Sequence, residues 1–256
     1  MSSFAYVFDL ALGQGIANKD RDRIQTEIAR IGIQGPEFFG GFHDVEGGLE
    51  EALKQGVKNV ILIGPPAWHL SWLPWSLRHP GITMGYISPE PSVLGRALGM
   101  SQGAQAIPLI AARVLRVLDV GTINKRPFLL EAAIQDTRAK LTFEGTYSIS
   151  GREPSPLAIR NFALQPKTGD VLSDPYDGQL EAVIHTKREA AAFFGMWKRT
   201  ELEETKVLFQ KGVIRDLEDQ SLHIAVDGQG ITAREASFEV LPKALSVIVG
   251  PDRLFS

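Results

Sequence analysis

A chain of 256 residues with a formal net charge of −3, 44% hydrophobic and 22% charged residues has the composition of one large or two ordinary globular domains. That charge gives no electrostatic footprint for nucleic acid, and the absence of cysteine excludes disulfides and thiolate metal sites. No signal-like stretch and no apolar run long enough to span a bilayer occur, so a cytoplasmic protein without a transmembrane segment is expected.

Phe4–Leu10 reads as a short apolar strand, followed by a turn at Gly13–Gly15. Arg21–Ile31 reads as a helix, with Ile24, Ile28 and Ile31 at helical spacing, and Leu49–Gln55 as a second helix stopped by Gly56. Val60–Ile63 is a buried strand that runs directly into Gly64-Pro65-Pro66-Ala67-Trp68. Helix is predicted over Ala67–Leu77, kinked or interrupted at Pro74, with Trp68, Trp72 and Trp75 on one face; that face reads first as core packing and otherwise as a plug for the glycine turn or a cap against a partner. Gly81–Ile87 is the next strand, and Gly103–Leu118 reads as an alanine- and leucine-rich helix. Strands alternating with helices predict a layered α/β domain with a mostly parallel sheet.

From Asp119 onward the segments become short, alternating and turn-bounded. Lys140–Phe143, Ser148–Ser150, Ala158–Asn161, Leu180–His185, Val213–Asp216 and Leu222–Val226 read as strands, with turn signals at Asp177-Gly178 and Asp227-Gly228. That pattern predicts an antiparallel β-sandwich. Glu189-Ala190-Ala191-Ala192-Phe193-Phe194 favours helix by propensity, so Arg188–Thr200 is predicted as a short helical insertion. The boundary falls near Asp119–Asn124, giving an α/β domain over 1–118 and a β-sandwich over 119–256, with the last strand free to return to the first domain.

A strand feeding a glycine turn is where many α/β proteins hold phosphate on backbone N–H groups. Pro65 and Pro66 remove two of those donors, and Trp68 fills space a nucleotide would need. The five histidines, His43, His69, His79, His185 and His223, have no metal-binding spacing. Neither a G-x-S-x-G elbow nor a Walker A string occurs, and Gly13-Gln14-Gly15 lacks the third glycine of a dinucleotide fingerprint.

Several strings, in order, resemble the diacylglycerol-kinase-like lipid kinases, whose fold is of the NAD-kinase-like two-domain type. Gly64-Pro65-Pro66-Ala67-Trp68 lines up with that family's G-G-D-G-T. Gly85–Gly99 is similar to its G-I-I-P-L-G-T-x-N-D-x-A-R-x-L-G, one residue shorter, keeping Gly85 and Arg96-Ala97-Leu98-Gly99. Asp119-Val120-Gly121-Thr122-Ile123-Asn124 resembles its D-V-G-x-V-N crossing. Asn161, Gly169 and Asp174-Pro175-Tyr176-Asp177-Gly178-Gln179-Leu180 resemble its N…G-G…D-G-x-L segment. Asp227-Gly228-Gln229 resembles its D-G-E turn, and Phe238–Leu245 its closing strand.

The resemblance implies an ATP-dependent lipid kinase, and this chain departs from it at the residues that do the chemistry. Of G-G-D-G-T only Gly64 remains, and Pro89-Glu90-Pro91 stands near the lost Gly-Thr, with a carboxylate that would repel phosphate. At the general-base position Gln229 is a neutral amide, and losing such a base costs roughly 10²–10⁴-fold in rate. Asp227-Gly228 also reads as a plain hairpin turn, the commoner origin of such a pair. The resemblance further implies a structural magnesium on Asp177, with the backbone carbonyls of Asp174 and Gln179 as neighbours; a capped turn without metal is the other reading.

Three expectations follow. The first is a protein of impaired ATP phosphotransfer that binds an apolar or amphipathic small molecule or a protein partner, with Gly64, Trp68, Asp227, Gly228 and Gln229 lining an interdomain cleft. The second is an active lipid kinase in which Asp9 or Asp44 substitutes for the lost carboxylate. The third is a structural subunit, a homodimer or part of a complex, that docks through the tryptophan-rich face.

Overall fold

The computed structural model describes residues 4–9, 17–41, 45–150, 153–162, 174–191 and 198–255. The expected turn at Gly13–Gly15, together with His43, Asp44 and Gly169, lies outside the described residues. The chain forms two compact units. The first runs to Leu118 and takes the chain back from Lys243; the second holds Asp119 onward and ends at Pro242.

In the first unit, β1 (Phe4–Asp9), β2 (Glu37–Gly40), β3 (Asn59–Ile63) and β4 (Thr83–Ile87) form a parallel sheet in the order β2-β1-β3-β4. Every residue of β1, β3 and β4 is buried, as expected of strands covered on both faces. The end of a long strand (Glu235–Ile248) extends the sheet, with Ser246 and Val247 parallel to Thr83 and Met84. α1 (Ala17–Ile31) buries Ile24 and Ile28, and α2 (Val45–Lys54) buries Val45, Leu49 and Ala52. Their spacing of three and four residues is what puts these side chains on one face.

A short 3₁₀ turn, Pro66–Trp68, leads into α3 (His69–Arg78), which continues through Pro74. α4 (Val93–Ala97) and α5 (Ile107–Ala112) complete the unit. The helix predicted over Gly103–Leu118 is shorter in the structure: a 3₁₀ turn at Gly103–Ala106, then α5 ending at Arg113 in the left-handed conformation, φ 51°. The Arg113 side chain is held there by its Nε donating to the buried Asn59 Oδ1 at 3.1 Å. Beyond it the β-branched Val117 and Val120 belong to β5 (Leu115–Ile123) instead.

The second unit contains two antiparallel sheets. One has the order β12-β11-β10-β7-β14-β15, from β7 (Glu131–Thr137), β10 (Ser155–Arg160), β11 (Leu180–Ala191), β12 (Lys198–Phe209), β14 (Leu222–Val226) and β15 (Gln229–Ala233). The other joins β8 (Ala139–Phe143), β9 (Tyr147–Ser150) and β13 (Lys211–Asp216) to the first part of β16, the Glu235–Ile248 strand. β6 (Arg126–Phe128) folds back on β5. Ile134, Leu157, Ile159, Leu180 and Ile224 from one sheet and Leu141, Phe143, Ile214 and Phe238 from the other share one hydrophobic cluster. That common core makes the unit a β-sandwich.

The helix predicted over Arg188–Thr200 is corrected where it is described. Arg188–Ala191 and Lys198–Thr200 are strand, with Arg188 opposite Glu201 and Ala191 opposite Lys198. Twelve consecutive cross-strand pairs between β11 and β12 outweigh the helix preference of the alanines.

Candidate functional site

Sheet order locates one place before any residue type is considered. From β1 the chain moves to one side for β2 and to the other for β3. Open parallel sheets take ligands outside the carboxyl ends of the strands at such a reversal. Here those ends are Asp9, which is only 7% exposed, and Gly64, immediately after β3.

The turn at that point is tied into the protein by its own backbone groups. Gly64 N–H donates to Ile87 O at 3.1 Å, continuing the ladder with β4 instead of pointing outward. Pro65 and Pro66 have no N–H, and the Pro65 carbonyl accepts from Trp68 N–H (3.0 Å) and the Tyr86 hydroxyl (2.8 Å). Burial raises the pKa of that Tyr86 hydroxyl, keeping it a neutral donor. The Trp68 indole lies flush on Gly64: a Cβ added to the glycine would sit 2.1 Å from Trp68 Cε3. Anion-binding glycine turns need open backbone donors. In this one a buried aromatic ring packs against the glycine.

Trp68, Trp72 and Trp75 are all at most 1% exposed, so the tryptophan stripe is interior and offers no docking face. That bears out the core-packing reading of the stripe and corrects the expectation of a subunit docking through these residues, since helical spacing has brought the indoles to the core-facing side. Trp75 Nε1 donates to Glu50 Oε1 at 2.7 Å, and His79 stacks on the same indole at 4.3 Å between centroids. Trp68 Nε1 and Trp72 Nε1 are buried with no hydrogen-bond partner among the described residues.

In the second unit Asp227 and Gly228 form the two-residue turn between β14 and β15, both at positive φ (46° and 87°). That is the I′ signature of a tight hairpin. The Asp227 carboxylate is fully engaged: Oδ2 accepts from Leu129 N–H at 2.7 Å, and Oδ1 from Leu130 and Glu131 N–H at 2.9 Å each. Its own N–H donates to Glu131 O at 2.8 Å. Asp227 thus fastens the hairpin to the start of β7 and has a structural role; Gly228 is exposed at the tip. Gln229, the first residue of β15, accepts through Oε1 from Arg126 Nη2. Sequence reading missed Arg126, which lies 103 positions away and carries no motif.

Asp174 and Asp177 share a tight loop ahead of β11. Asp174 Oδ1 accepts from Tyr176 N–H (3.1 Å) and Asp177 Oδ1 from Gln179 N–H (2.8 Å). Beside them lies Asp119, fully buried, whose Oδ2 accepts from Gly178 N–H at 2.7 Å and whose carbonyl accepts from Asn161 Nδ2 at 2.8 Å. Asn161 Oδ1 is buried without a partner among the described residues. The sequence signal for Asp119 was present: a charged residue inside the apolar run Leu118-Asp119-Val120.

Burial, then the neighbouring carboxylates of Asp174 and Asp119, raise the Asp177 pKa, and the Gln179 N–H opposes them. A cluster of oxygen donors of this kind suits a hard cation such as magnesium. Among the described residues no three acidic or histidine side chains converge at metal-binding distances, so a cation here would need main-chain carbonyls as well.

The structure therefore brings Gly64 together with Trp68 in the first unit. It brings Asp227, Gly228 and Gln229 together on one hairpin, and Asp177 together with Asp119 and Asp174, in the second.

Compared by sequence, the chain matches no protein-family model and no curated protein. Compared by structure, it matches a chain from Bacillus anthracis str. Sterne provisionally named a diacylglycerol kinase, with TM-score 0.75, 14% identity, 98% of this chain and 97% of that one. A second such chain from the same strain gives TM-score 0.71, 14% identity and 98% coverage of both. A third, named as a diacylglycerol kinase, gives TM-score 0.70, 16% identity, and 98% and 97% coverage. The fold is that of diacylglycerol-kinase-like proteins over almost the full length of the chain. Among the described residues no helix is long and apolar enough to cross a membrane.

Proposed function

We propose that this protein is a diacylglycerol-kinase-like protein of impaired ATP phosphotransfer that acts in the cytoplasm by binding a small amphipathic ligand or a protein partner. The observation that carries this reading is the Trp68 indole lying on Gly64 at the carboxyl end of β3. Phosphoryl transfer depends on backbone donors and cations placed around the phosphates. At this turn Pro65 and Pro66 have no N–H, those of Gly64 and Trp68 are already bonded, and no carboxylate stands in the loop to support a metal-bound nucleotide. Gln229 adds to the loss, since an amide cannot take a proton from an acceptor hydroxyl.

Asp9 favours one second reading, an active kinase, because it places a buried carboxylate at the end of β1, the strand next to Gly64. A phosphotransfer assay with labelled ATP and diacylglycerol in mixed micelles separates the two. The proposal expects no labelled lipid above the protein-free control; turnover by the wild-type chain would support the Asp9 reading.

Gln229→Glu extends the test. The introduced carboxylate would pair with the Arg126 guanidinium that now binds the amide, and phosphotransfer is expected to stay undetectable. Labelled lipid from this variant would show that the base was the one missing part.

The same reading gives Asp177, with the carbonyls of Asp174 and Gln179, a structural magnesium, which would neutralise the crowded carboxylates. The sign of the pH dependence follows from the raised pKa. An aspartate that is harder to ionise in the fold contributes stability below its unfolded pKa of about 3.9, and that contribution is lost as pH rises through the folded value. Asp177→Asn in metal-free buffer is therefore expected to raise Tm slightly at pH 7 and to leave it unchanged at pH 3. Magnesium is expected to raise the Tm of the wild type and not of Asp177→Asn, as thermal scans with and without the ion would report.

A further inference from the structure

A cavity of about 420 Å³ lies in the first unit beyond the carboxyl end of β4. Its frame is well tied. Ser88 O accepts from Gly103 N–H at 2.9 Å, and Ser92 Oγ caps α4 by accepting from Gly95 N–H at 3.1 Å. The C-terminal strap is bonded to the same helix, Gly250 N–H to Leu98 O at 2.9 Å and Leu254 N–H to Ala97 O at 3.0 Å.

The lining combines Glu90, Asp252 and Arg96 with the hydroxyl of Ser101 and the apolar surface of Met100 and Pro91. None of the three charged groups is in an ion pair among the described residues. Two carboxylates facing a cavity repel a polyphosphate, and they attract an ammonium group. One guanidinium in the same lining suits a carboxylate, which it can grip with two parallel N–H donors.

We infer that this cavity binds a small zwitterion, a molecule with an ammonium group and a carboxylate separated by a short apolar spacer. Glu90 and Asp252 take the ammonium, Arg96 takes the carboxylate, and Met100 and Pro91 contact the spacer. The inference rests on the reading that this segment, which carries Pro89-Glu90-Pro91 where the resembled family has Gly-Thr, no longer handles nucleotide.

Calorimetric titration with 6-aminohexanoate, hexylammonium and hexanoate tests it, because the second and third probes keep the five-methylene spacer or its equivalent and each lack one charged end. The zwitterion is expected to bind at least tenfold more tightly than either singly charged probe. Glu90→Gln with Asp252→Asn is expected to remove that advantage, and so is Arg96→Gln. All three positions are exposed, so the variants should keep the wild-type circular dichroism and melting curve. Equal binding of all three probes, tighter binding of either single charge, or no binding by any of them would overturn the inference. A parallel titration with Mg-ATP keeps the two claims apart. ATP binding defeats the impaired-kinase reading, whereas failure of the zwitterion with ATP also silent defeats the cavity inference alone.

Discussion

Gly64→Ala is expected to destabilise the protein by about 3 kcal/mol, at the upper end of what overpacking a core costs. The added Cβ would stand 2.1 Å from Trp68 Cε3 and 2.7 Å from both Cδ2 and Cζ3, far inside van der Waals contact. Neither side can yield easily: Gly64 is bonded to Ile87, and Trp68 is fully buried and bonded through its N–H to Pro65. Denaturant unfolding would show the midpoint falling with an unchanged slope. Replacing the indole as well, in Gly64→Ala/Trp68→Leu, should cost less than the two single changes added together, with a coupling of roughly 1 kcal/mol or more. Additive single and double variants would mean that the ring does not press on the glycine.

The second large effect belongs to Asp227. Its carboxylate satisfies three backbone N–H groups, those of Leu129, Leu130 and Glu131. Asp227→Ala would leave all three without an acceptor in a partly buried place, and the expected loss is on the order of 3 kcal/mol. Asp227→Asn retains one acceptor oxygen and should lose less. Hydrogen exchange at these amides gives the sharper test, since loss of the cap should accelerate it locally more than elsewhere. If Asp227→Ala melted like the wild type, the carboxylate would be ornamental and its position at the resembled kinase turn would need another explanation.

Strand β3 was legible because Val60-Ile61-Leu62-Ile63 is uniformly apolar, which is what burial on both faces demands. The end of α5 was not, because no glycine or proline marks it; the helix stops on a left-handed arginine, and the apolar sequence continues into a strand. The alanines at 190 and 191 misled for the opposite reason. Their local preference is real, yet β11 holds them opposite Arg199 and Lys198.

At the site, the two prolines and the tryptophan after Gly64 are plain in the sequence, but the packing of the Trp68 ring against that glycine is visible only in the fold. The side-chain bonds that hold the Asp227 hairpin could not be read from the sequence. An Asp-Gly pair predicts the turn, but the three amides it caps and the arginine that holds Gln229 are brought there only by the packing of β6 and β7.

Calorimetric titration of the wild-type chain with Mg-ATP, carried to millimolar concentration, tests the central idea: an indole has taken the place where triphosphate would rest. No saturable heat is the expected result. A saturable isotherm with a micromolar dissociation constant, weakened by changes at Gly64 or Asp9, would contradict it.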